Sequence, residues 1–129
     1  MTEAGIADTS VFIAQESGRA LNVDALPDAL AVSIVTVAEL RAGVLAATDL
    51  ATRDSRLITL QQALDLDPLP IDDAVAQAWA RLRLELRNSG RRMKVNDAWI
   101  AATALAYDLT LVSQDSDYEG VPGLKVIRV

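Results

Sequence analysis

The sequence predicts an α/β fold with a central, mainly parallel sheet and helices on both of its faces. Short apolar segments of strand length alternate along the chain with longer segments of helical periodicity, and this alternation is typical of parallel sheets. The chain has 129 residues and is 51% hydrophobic, which is enough for the core of one domain of common size. We therefore expect one domain over residues 1–129.

The first two strands are each predicted to lead into a helix. Residues 5–8, GIAD, are small or apolar up to the final aspartate, and residues 31–35, AVSIV, contain one polar side chain. A hydroxyl residue follows each strand and is the expected N-cap of the next helix. The candidates are Thr9 or Ser10 for TSVFIAQES, and Thr36 for VAELRAGVLAA.

The middle of the chain is predicted to contain two helices separated by an extended segment. Helical periodicity runs from about residue 50 to residue 66, and two prolines exclude a helix from residues 68–71, PLPI. The amphipathic segment AVAQAWARLRLELRNSG follows. Asp72 or Asp73 is its expected N-cap, and Gly90 is expected to end it.

The last third is predicted to contain one helix and two strands. Asn96 is the expected N-cap of a helix that runs from Asp97 to about Asp108. Residues 109–113, LTLVS, and residues 124–129, LKVIRV, have the apolar, β-branched composition of strands. The turn-rich segment between them is predicted to be a loop.

The residue types that are absent narrow the possible chemistry. The chain contains no cysteine and no histidine, which excludes disulfide bridges, zinc fingers, thiol nucleophiles and Ser-His-Asp triads. Any metal would be held by oxygen ligands, which favours Mg²⁺ or Mn²⁺, or Ca²⁺ in a larger site. A catalyst built from this set would use carboxylates, a metal-activated water, or both.

The sequence contains no apparent targeting segment. No apolar run approaches the roughly 20 residues of a membrane-spanning helix. The N-terminal segment MTEAGIADTS has no basic flank followed by an apolar run, as a secretory signal would have. We therefore expect a cytoplasmic protein.

Basic residues are concentrated in one segment of an otherwise acidic chain. The formal net charge is -6, from 18 acidic and 12 basic residues. Six of the 12 bases lie between positions 81 and 94, where Glu85 is the only acid. They are Arg81, Arg83, Arg87, Arg91, Arg92 and Lys94. The segment is either a solvated helix face with a basic loop or a surface that binds phosphate groups.

Several acidic residues are predicted to meet at one edge of the sheet. Asp8 ends the first strand, and Glu39 lies about one turn into the helix after the second. Asp115 and Asp117 follow the strand LTLVS, and Asp97 opens the helix before it. In parallel sheets, ligands bind beyond the carboxyl ends of the strands. Each acid has an ordinary explanation as a cap, a dipole partner or a turn residue, but acids gathered at one edge repel each other unless a divalent cation lies among them.

The sequence resembles that of the PIN-domain nucleases, specifically the VapC-type toxins of prokaryotic toxin–antitoxin pairs. The segments that carry the resemblance are IADTSVFIA, SIVTVAELRAGV and NDAWIAATALAYDLTLVSQDSDYEGVPGLKVIRV. The resemblance implies a three-layer α/β/α PIN-like domain and a Mg²⁺- or Mn²⁺-dependent endoribonuclease. The motif acids would be Asp8, Glu39, Asp97 and Asp115, with Asp117 as the second acid of the last motif.

The resemblance also implies roles for the matched residues. The acids would hold one or two metal ions, directly or through water, and a metal-activated water would attack the RNA phosphodiester. Thr9 and Ser113 would orient the water or a phosphate, while Asn96 would contact substrate or, as we prefer, cap its helix. The bases best placed to hold the RNA backbone are Arg87, Arg91, Arg92 and Lys94.

Two motif positions differ from the residues that are usual in the family. Ser113 stands where the family often has threonine, and Tyr118 stands where it often has phenylalanine. Both differences keep the chemical type. They leave open whether Asp115 or Asp117 matters more for the metal.

Two protein partners are implied by the same resemblance, a VapB-type antitoxin that covers the active-site groove and a second copy of the chain. Six apolar residues are candidates either for an exposed partner surface or for the core. They are Val11, Phe12, Ile13, Leu40, Val44 and Leu45. Trp79 and Trp99 are expected to pack in the fold rather than to stack on RNA bases, although such stacking is common in RNA recognition.

Two other functions fit part of the pattern. A phosphoacceptor signalling domain shares the fold class and gathers acids around Mg²⁺, but it needs an acid pair after the first strand, where GIAD supplies a single aspartate. A catalytically silent PIN-like binding module is the other alternative, in which the acids would be structural. Incubation with RNA, in Mg²⁺ or in EDTA, separates the three functions.

Overall fold

The computed structural model describes residues 4–129, which form four strands, five α-helices and one 3₁₀ helix. In chain order these are β1 (Ala4–Ala7), α1 (Thr9–Ser17), the 3₁₀ helix (Val23–Ala25), β2 (Ala29–Val32), α2 (Ile34–Ala46), α3 (Leu50–Leu64), α4 (Asp73–Ser89), α5 (Val95–Ala106), β3 (Thr110–Ser113) and β4 (Val126–Arg128). The expectation about a secretory signal also involves the first three residues, which lie outside the described part. No helix within residues 4–129 combines the length and the apolar character that a membrane crossing requires.

The four strands form one parallel sheet in the order β2-β1-β3-β4. On the central strand β1, Ile6 pairs with Ala31 of β2 and with Leu111 of β3. The predicted α/β fold is therefore confirmed. Because all strands run in one direction, their carboxyl ends meet at the same edge of the sheet.

Successive side chains of the central strands enter two separate core clusters, as the alternation of a strand requires. Ile6 and Leu111 belong to the cluster that includes Ile100 of α5 and residues of α4. Ala7 and Val112 belong to the cluster that includes residues of α1 and α3. Helices thus cover both faces of the sheet and hold its carboxyl edge in place from two sides.

Thr9, Ser10 and Thr36 are wrong as predicted N-caps of α1 and α2, whereas the ordinary explanation of Asp8 as a cap is confirmed. Asp8 caps α1 by accepting a hydrogen bond from the backbone N–H of Ser10 at 3.2 Å. Ser33 caps α2, and its hydroxyl accepts from the Val35 N–H at 3.0 Å. The predicted strand 31–35 is also displaced, because β2 pairs residue for residue with the four-residue strand β1 and ends with it. Thr36 consequently lies inside α2, fully buried.

The cap predicted for α5 is wrong as well, whereas those predicted for α4 are confirmed. Helix α5 begins at Val95, and Lys94 occupies the N-cap position without a capping hydrogen bond from its side chain. Asn96 is therefore a residue of the first turn. Asp72 caps α4 through the Val75 N–H, and Gly90 ends it with a positive φ of 69°.

The two tryptophans pack against each other between α4 and α5. The ring centroids of Trp79 and Trp99 lie 4.5 Å apart, with an angle of 10° between the ring planes. The Arg83 guanidinium lies 5.0 Å from the centroid of the Trp79 ring. Both tryptophans are half-buried against the core, so they pack within the fold as predicted.

Candidate active site

The edge of the sheet brings Asp8 beside the end of β3. The Asp8 backbone N–H donates to the Val112 carbonyl at 3.0 Å, which extends the parallel ladder by one residue. The Ser113 hydroxyl donates to Asp8 Oδ2, also at 3.0 Å. Ser113 is fully buried, so this contact fixes one carboxylate oxygen from inside the protein.

The second oxygen of Asp8 is held by Ser10. The Ser10 hydroxyl lies 2.5 Å from Asp8 Oδ1 and donates to it. The same hydroxyl accepts from the Gln114 backbone N–H at 3.0 Å, which joins the start of α1 to the loop after β3. Both oxygens of Asp8 are therefore oriented by short-range contacts from two elements.

Asp8 is a buried carboxylate with a perturbed pKa. Its side chain is only 3% exposed. Burial raises the pKa of Asp8 to about 6; the hydrogen bonds from Ser10 and Ser113 lower it, and the nearby charges of Asp115 and Asp97 raise it. Asp8 therefore lies within range of the negative charges of Asp97 and Asp115.

Glu39 lies on α2 and is oriented by α1. The Thr9 hydroxyl donates to Glu39 Oε1 at 2.7 Å and lies 3.0 Å from the hydroxyl oxygen of Thr36. Thr36 and Glu39 are three residues apart on one face of α2. The contact brings the second motif acid to α1, the helix that Asp8 caps.

Asp97 lies in the first turn of α5, half-buried. The Tyr118 hydroxyl donates to Asp97 Oδ1 at 3.1 Å. Burial raises the pKa of Asp97, as do the charges of Asp117 and Glu39, while the Tyr118 hydrogen bond and Lys94 lower it. Asp97 is therefore close enough to acids of two other elements for their charges to affect it.

Asp115 and Asp117 are exposed in the loop between β3 and β4. The Asp115 N–H donates to the Ser113 hydroxyl at 2.9 Å, so a single serine contacts both Asp8 and the start of this loop. The Asp117 carbonyl accepts from Arg91 at 2.8 Å. The loop is thereby attached to the segment between α4 and α5.

The structure brings all five predicted acids to one edge of the sheet, but it does not gather them into a closed cage. Within residues 4–129, no three of the acidic side chains converge on one position at coordination distance. The one ion pair found in that range joins Arg128 to Glu119 at 3.7 Å, so none of the five is paired with a base. Unpaired carboxylate oxygens are hard ligands, and their chemistry fits Mg²⁺ or Mn²⁺.

Part of the predicted basic segment forms a wall beside the acids. Arg91, Arg92 and Lys94 line a groove together with Asp97 and Asp117. A second groove adjoins it through the shared residues Arg91 and Arg92, and it also contains Arg83 and Arg87. We call these five bases — Arg83, Arg87, Arg91, Arg92 and Lys94 — the basic wall. Arg81 lies elsewhere, in a groove with Pro122 and Gly123.

The six apolar candidates for a partner surface divide between core and surface. Val11, Phe12 and Leu40 are buried and Val44 is half-buried, whereas Ile13 and Leu45 are 44% and 83% exposed. Ile13 lines a small groove that also contains Glu39, Gly43 and Arg56. Glu39 is common to this groove and to the candidate site, so the two adjoin.

Three residues at the site were missed in the sequence. Ser10 could have been found, because a hydroxyl two residues after an aspartate is a common local hydrogen-bond pattern. Thr36 could have been found from its helical spacing to Glu39. The hydroxyl of Tyr118, at a position where the family often has phenylalanine, was a signal, but its partner Asp97 was not predictable because the contact depends on the path of the loop after β3.

Comparison with known proteins identifies the family. The PIN domain family model matches residues 6–124. The chain is 50% identical over 129 residues to Ribonuclease VapC5 of Mycobacterium tuberculosis, covering 98% of this chain and 96% of that protein. It is 45% identical to Ribonuclease VapC4 of the same organism, over 96% of this chain and 95% of that one.

A solved structure shows the same fold over nearly the full length. The crystal structure of a member of the VapBC family of toxin–antitoxin systems, VapBC-5 from Mycobacterium tuberculosis, matches with a TM-score of 0.89 and 47% identity. The match covers 98% of each chain. The resemblance predicted from the motifs is therefore confirmed: the chain belongs to the PIN domain family and, within it, to the VapC group.

Proposed function

We propose that this chain is a divalent-metal-dependent endoribonuclease and acts as the toxin of a toxin–antitoxin pair in the cytoplasm. The observation that carries the proposal is the buried Asp8 carboxylate, 3% exposed and within electrostatic range of Asp97 and Asp115. A buried acid beside other acids is costly unless a cation neutralises it. Two of the relatives, VapC5 and VapC4, are named as ribonucleases, which agrees with this chemistry.

The proposed metal ligands are the five acids at the sheet edge, acting directly or through water: Asp8, Glu39, Asp97, Asp115 and Asp117. Mg²⁺ is usually held by one or two carboxylates and keeps several waters, so a pair such as Asp8 and Asp97 is a sufficient anchor. When bound, the ion supplies an activated water and neutralises charge on the phosphate.

The hydroxyl groups around the acids have a positioning function in this proposal. Ser10 and Ser113 together engage both oxygens of Asp8, and Thr9 engages one oxygen of Glu39. Each contact leaves lone pairs of the carboxylate free, because an ionised carboxylate accepts up to about four hydrogen bonds. The carboxylates are thus oriented before any ligand arrives, which reduces the cost of binding one.

The basic wall is the proposed binding surface for the RNA backbone. The Arg92 guanidinium and the Lys94 ammonium line the groove that contains Asp97 and Asp117, and Arg87 lines the groove that adjoins it. Phosphate groups bind to such surfaces in a salt-dependent manner. Asn96 is exposed in the first turn of α5 and is free of its predicted capping role, which favours a contact with substrate.

Two protein partners belong to the same proposal. The exposed Ile13 and Leu45 and the small groove next to Glu39 offer apolar surface to an antitoxin, which would block access to the acids. A crystal structure of a VapBC system is among the similar structures. We also propose that the chain forms a homodimer, as the resemblance implies.

The proposal is tested by incubating the purified chain with RNA in Mg²⁺, in Mn²⁺ and in EDTA. Cleavage should require the metal and should be lost in Asp97→Asn, while circular dichroism shows an unchanged fold. Asp54→Asn is the matched control, because Asp54 is exposed on α3, and it should cleave as the wild type does. Metal-independent cleavage, or full activity of Asp97→Asn, would contradict the mechanism. A folded chain that binds antitoxin but cleaves no RNA would be a silent binding module.

A further inference from the structure

The side chain of Tyr118 reaches the acidic site from inside the core. It is 0% exposed, and its ring packs in the same cluster as Ile6, Leu82 and Ile100. Its hydroxyl donates to Asp97 Oδ1 at 3.1 Å. Burial and the nearby charges of Asp8 and Asp97 raise the pKa of Tyr118 above the ordinary range of a phenol, so the group is protonated at neutral pH and is a hydrogen-bond donor.

The packing of the ring does not explain why this position has a tyrosine rather than a phenylalanine. A buried hydroxyl costs free energy unless it finds a partner, and a phenylalanine would fill the same space without that cost. In this chain the partner is a carboxylate of the proposed metal site. The hydrogen bond engages Oδ1 of Asp97 and leaves the other lone pairs of the carboxylate available to an ion.

The hydrogen bond also joins two parts of the site. Tyr118 directly follows Asp117 in the loop after β3, and Asp97 lies on α5. Arg91 holds the same loop through the Asp117 carbonyl at 2.8 Å. The loop that carries Asp115 and Asp117 is therefore attached to α5 and to the segment before α5 by two independent contacts.

We propose that Tyr118 is a positioning residue of the metal site, which holds the Asp97 carboxylate in one orientation and at a fixed place relative to the loop carrying Asp115 and Asp117. The proposal rests on the proposed function, because it concerns the ion that those acids would bind. Groups that orient a metal ligand typically change metal affinity by about 10- to 100-fold. Tyr118→Phe should therefore weaken Mn²⁺ binding by about 10-fold.

The matched control is Tyr107→Phe. Tyr107 is the other tyrosine of the chain, and its hydroxyl also donates to an aspartate, Asp72, at the start of α4. Both variants lose one hydroxyl and one tyrosine–aspartate hydrogen bond, but only Tyr118 contacts a proposed ligand. Tyr107 is 38% exposed, so the loss of its hydroxyl should change the unfolding free energy little. A purely structural role of Tyr118 would change the unfolding free energy of Tyr118→Phe and leave its Mn²⁺ affinity unchanged.

The experiment is calorimetric titration of the full-length chain with Mn²⁺. A dissociation constant about 10-fold higher in Tyr118→Phe, with an unchanged constant in Tyr107→Phe, supports the proposal. Equal constants in Tyr118→Phe and wild type overturn it and leave the proposed function intact. If the wild type binds no Mn²⁺, the proposed function fails together with this inference.

A second measurement needs no variant and applies even if Tyr118→Phe does not fold. A buried, hydrogen-bonded hydroxyl exchanges slowly with water, so the Tyr118 hydroxyl proton should give a separate NMR signal in the wild-type chain. Saturation with Mg²⁺ should shift this signal, because the acceptor carboxylate becomes a ligand. A signal that stays in place when Mg²⁺ binds overturns the proposal.

Discussion

Ser113 at the end of β3 donates a hydrogen bond to Asp8 at the end of β1, across a sequence separation of 105 residues. The same hydroxyl accepts from the Asp115 N–H at 2.9 Å. One small side chain thus fixes the first motif acid and the start of the loop that carries the last ones. Ser113 can reach Asp8 because the parallel strands β1 and β3 end at the same edge of the sheet.

Ser113→Ala should weaken both the fold and the metal site. The variant leaves one oxygen of a buried carboxylate without its donor and one backbone N–H without its acceptor, a loss of about 1–3 kcal/mol per unsatisfied group. Mn²⁺ affinity should fall by about 10-fold. Urea denaturation and calorimetric titration measure the two effects.

The control for this prediction is Ser89→Ala. The Ser89 hydroxyl donates to the Leu86 carbonyl at the end of α4, at 3.2 Å, in a position that contacts none of the acids. Its loss should change stability slightly and Mn²⁺ affinity not at all. If both variants bind Mn²⁺ like the wild type, Ser113 does not position the site.

The metal-free protein should lose stability as the pH rises towards neutrality. Burial raises the pKa of Asp8 from 3.8 to about 6 in the folded chain. Between these values the folded state binds more protons than the unfolded state, so the free energy of unfolding falls with rising pH, by up to about 3 kcal/mol for this group. Asp97, whose pKa is also raised by burial, acts in the same direction.

Comparison with Asp8→Asn isolates this contribution from those of the other acids. In EDTA, the variant should gain stability relative to the wild type between pH 4 and pH 7, as measured by urea denaturation at each pH. A difference that does not change with pH would contradict the raised pKa. Mg²⁺ should stabilise the wild type at pH 7.5 but not at pH 4.5, because a protonated carboxyl is a poor ligand.

Arg92→Ala should reduce the affinity for RNA and its dependence on salt. Arg92 is exposed on the basic wall, and each lost contact with a single-stranded phosphate should lower the slope of log K against log salt by about 0.7. Arg81→Ala is the control, because Arg81 lies in a different groove. Binding should be measured in EDTA, because the RNA then stays intact and the effect on affinity is separated from catalysis. Equal slopes for Arg92→Ala and Arg81→Ala would show that the basic wall does not bind the RNA backbone.

The sequence was sufficient to predict the edge of the sheet at which Asp8 and Asp115 lie, because simple rules connect these two acids to the fold. Asp8 and Asp115 follow apolar strands, and the carboxyl ends of parallel strands must meet. The separation of Arg81 from the basic wall was also predictable from helical spacing. Arg83 and Arg87 are four residues apart and share one helix face, whereas Arg81 lies on a different face from Arg87.

The finer geometry of the site was not predictable from sequence patterns. The pairing of Tyr118 with Asp97 depends on the path of an irregular loop, for which periodicity gives no information. The start of α5 was misplaced because Asn96 is a strong N-cap residue in general, while the actual N-cap position is occupied by Lys94 without a capping hydrogen bond. The packing of α5 in the fold therefore outweighs the local preference of Asn96 for the N-cap position.

Gly5→Ala should damage the site from a distance, through the strand that positions Asp8. A Cβ at this position would lie 2.8 Å from Cγ of Pro27 and 3.0 Å from the Thr110 carbonyl oxygen. Overpacking of a rigid core typically costs about 1–3 kcal/mol, and relief requires β1 to shift relative to β3. Because Asp8 follows β1 directly, the shift should also weaken its hydrogen bond from Ser113 and reduce Mn²⁺ affinity.

Gly43→Ala provides the matched comparison for this substitution. Gly43 lies inside α2, where an added Cβ would meet only Cδ of Arg56, at 3.9 Å. Alanine in a helix interior is favoured over glycine by about 0.8–1 kcal/mol, so this variant should unfold at a higher urea concentration than the wild type and bind Mn²⁺ equally well. We expect Gly5→Ala to lower the free energy of unfolding and Gly43→Ala to raise it. Only Gly5→Ala should lower the affinity for Mn²⁺. If Gly5→Ala is as stable as the wild type, β1 has more freedom to move than its contacts indicate, and the rigid placement of Asp8 by the sheet is wrong.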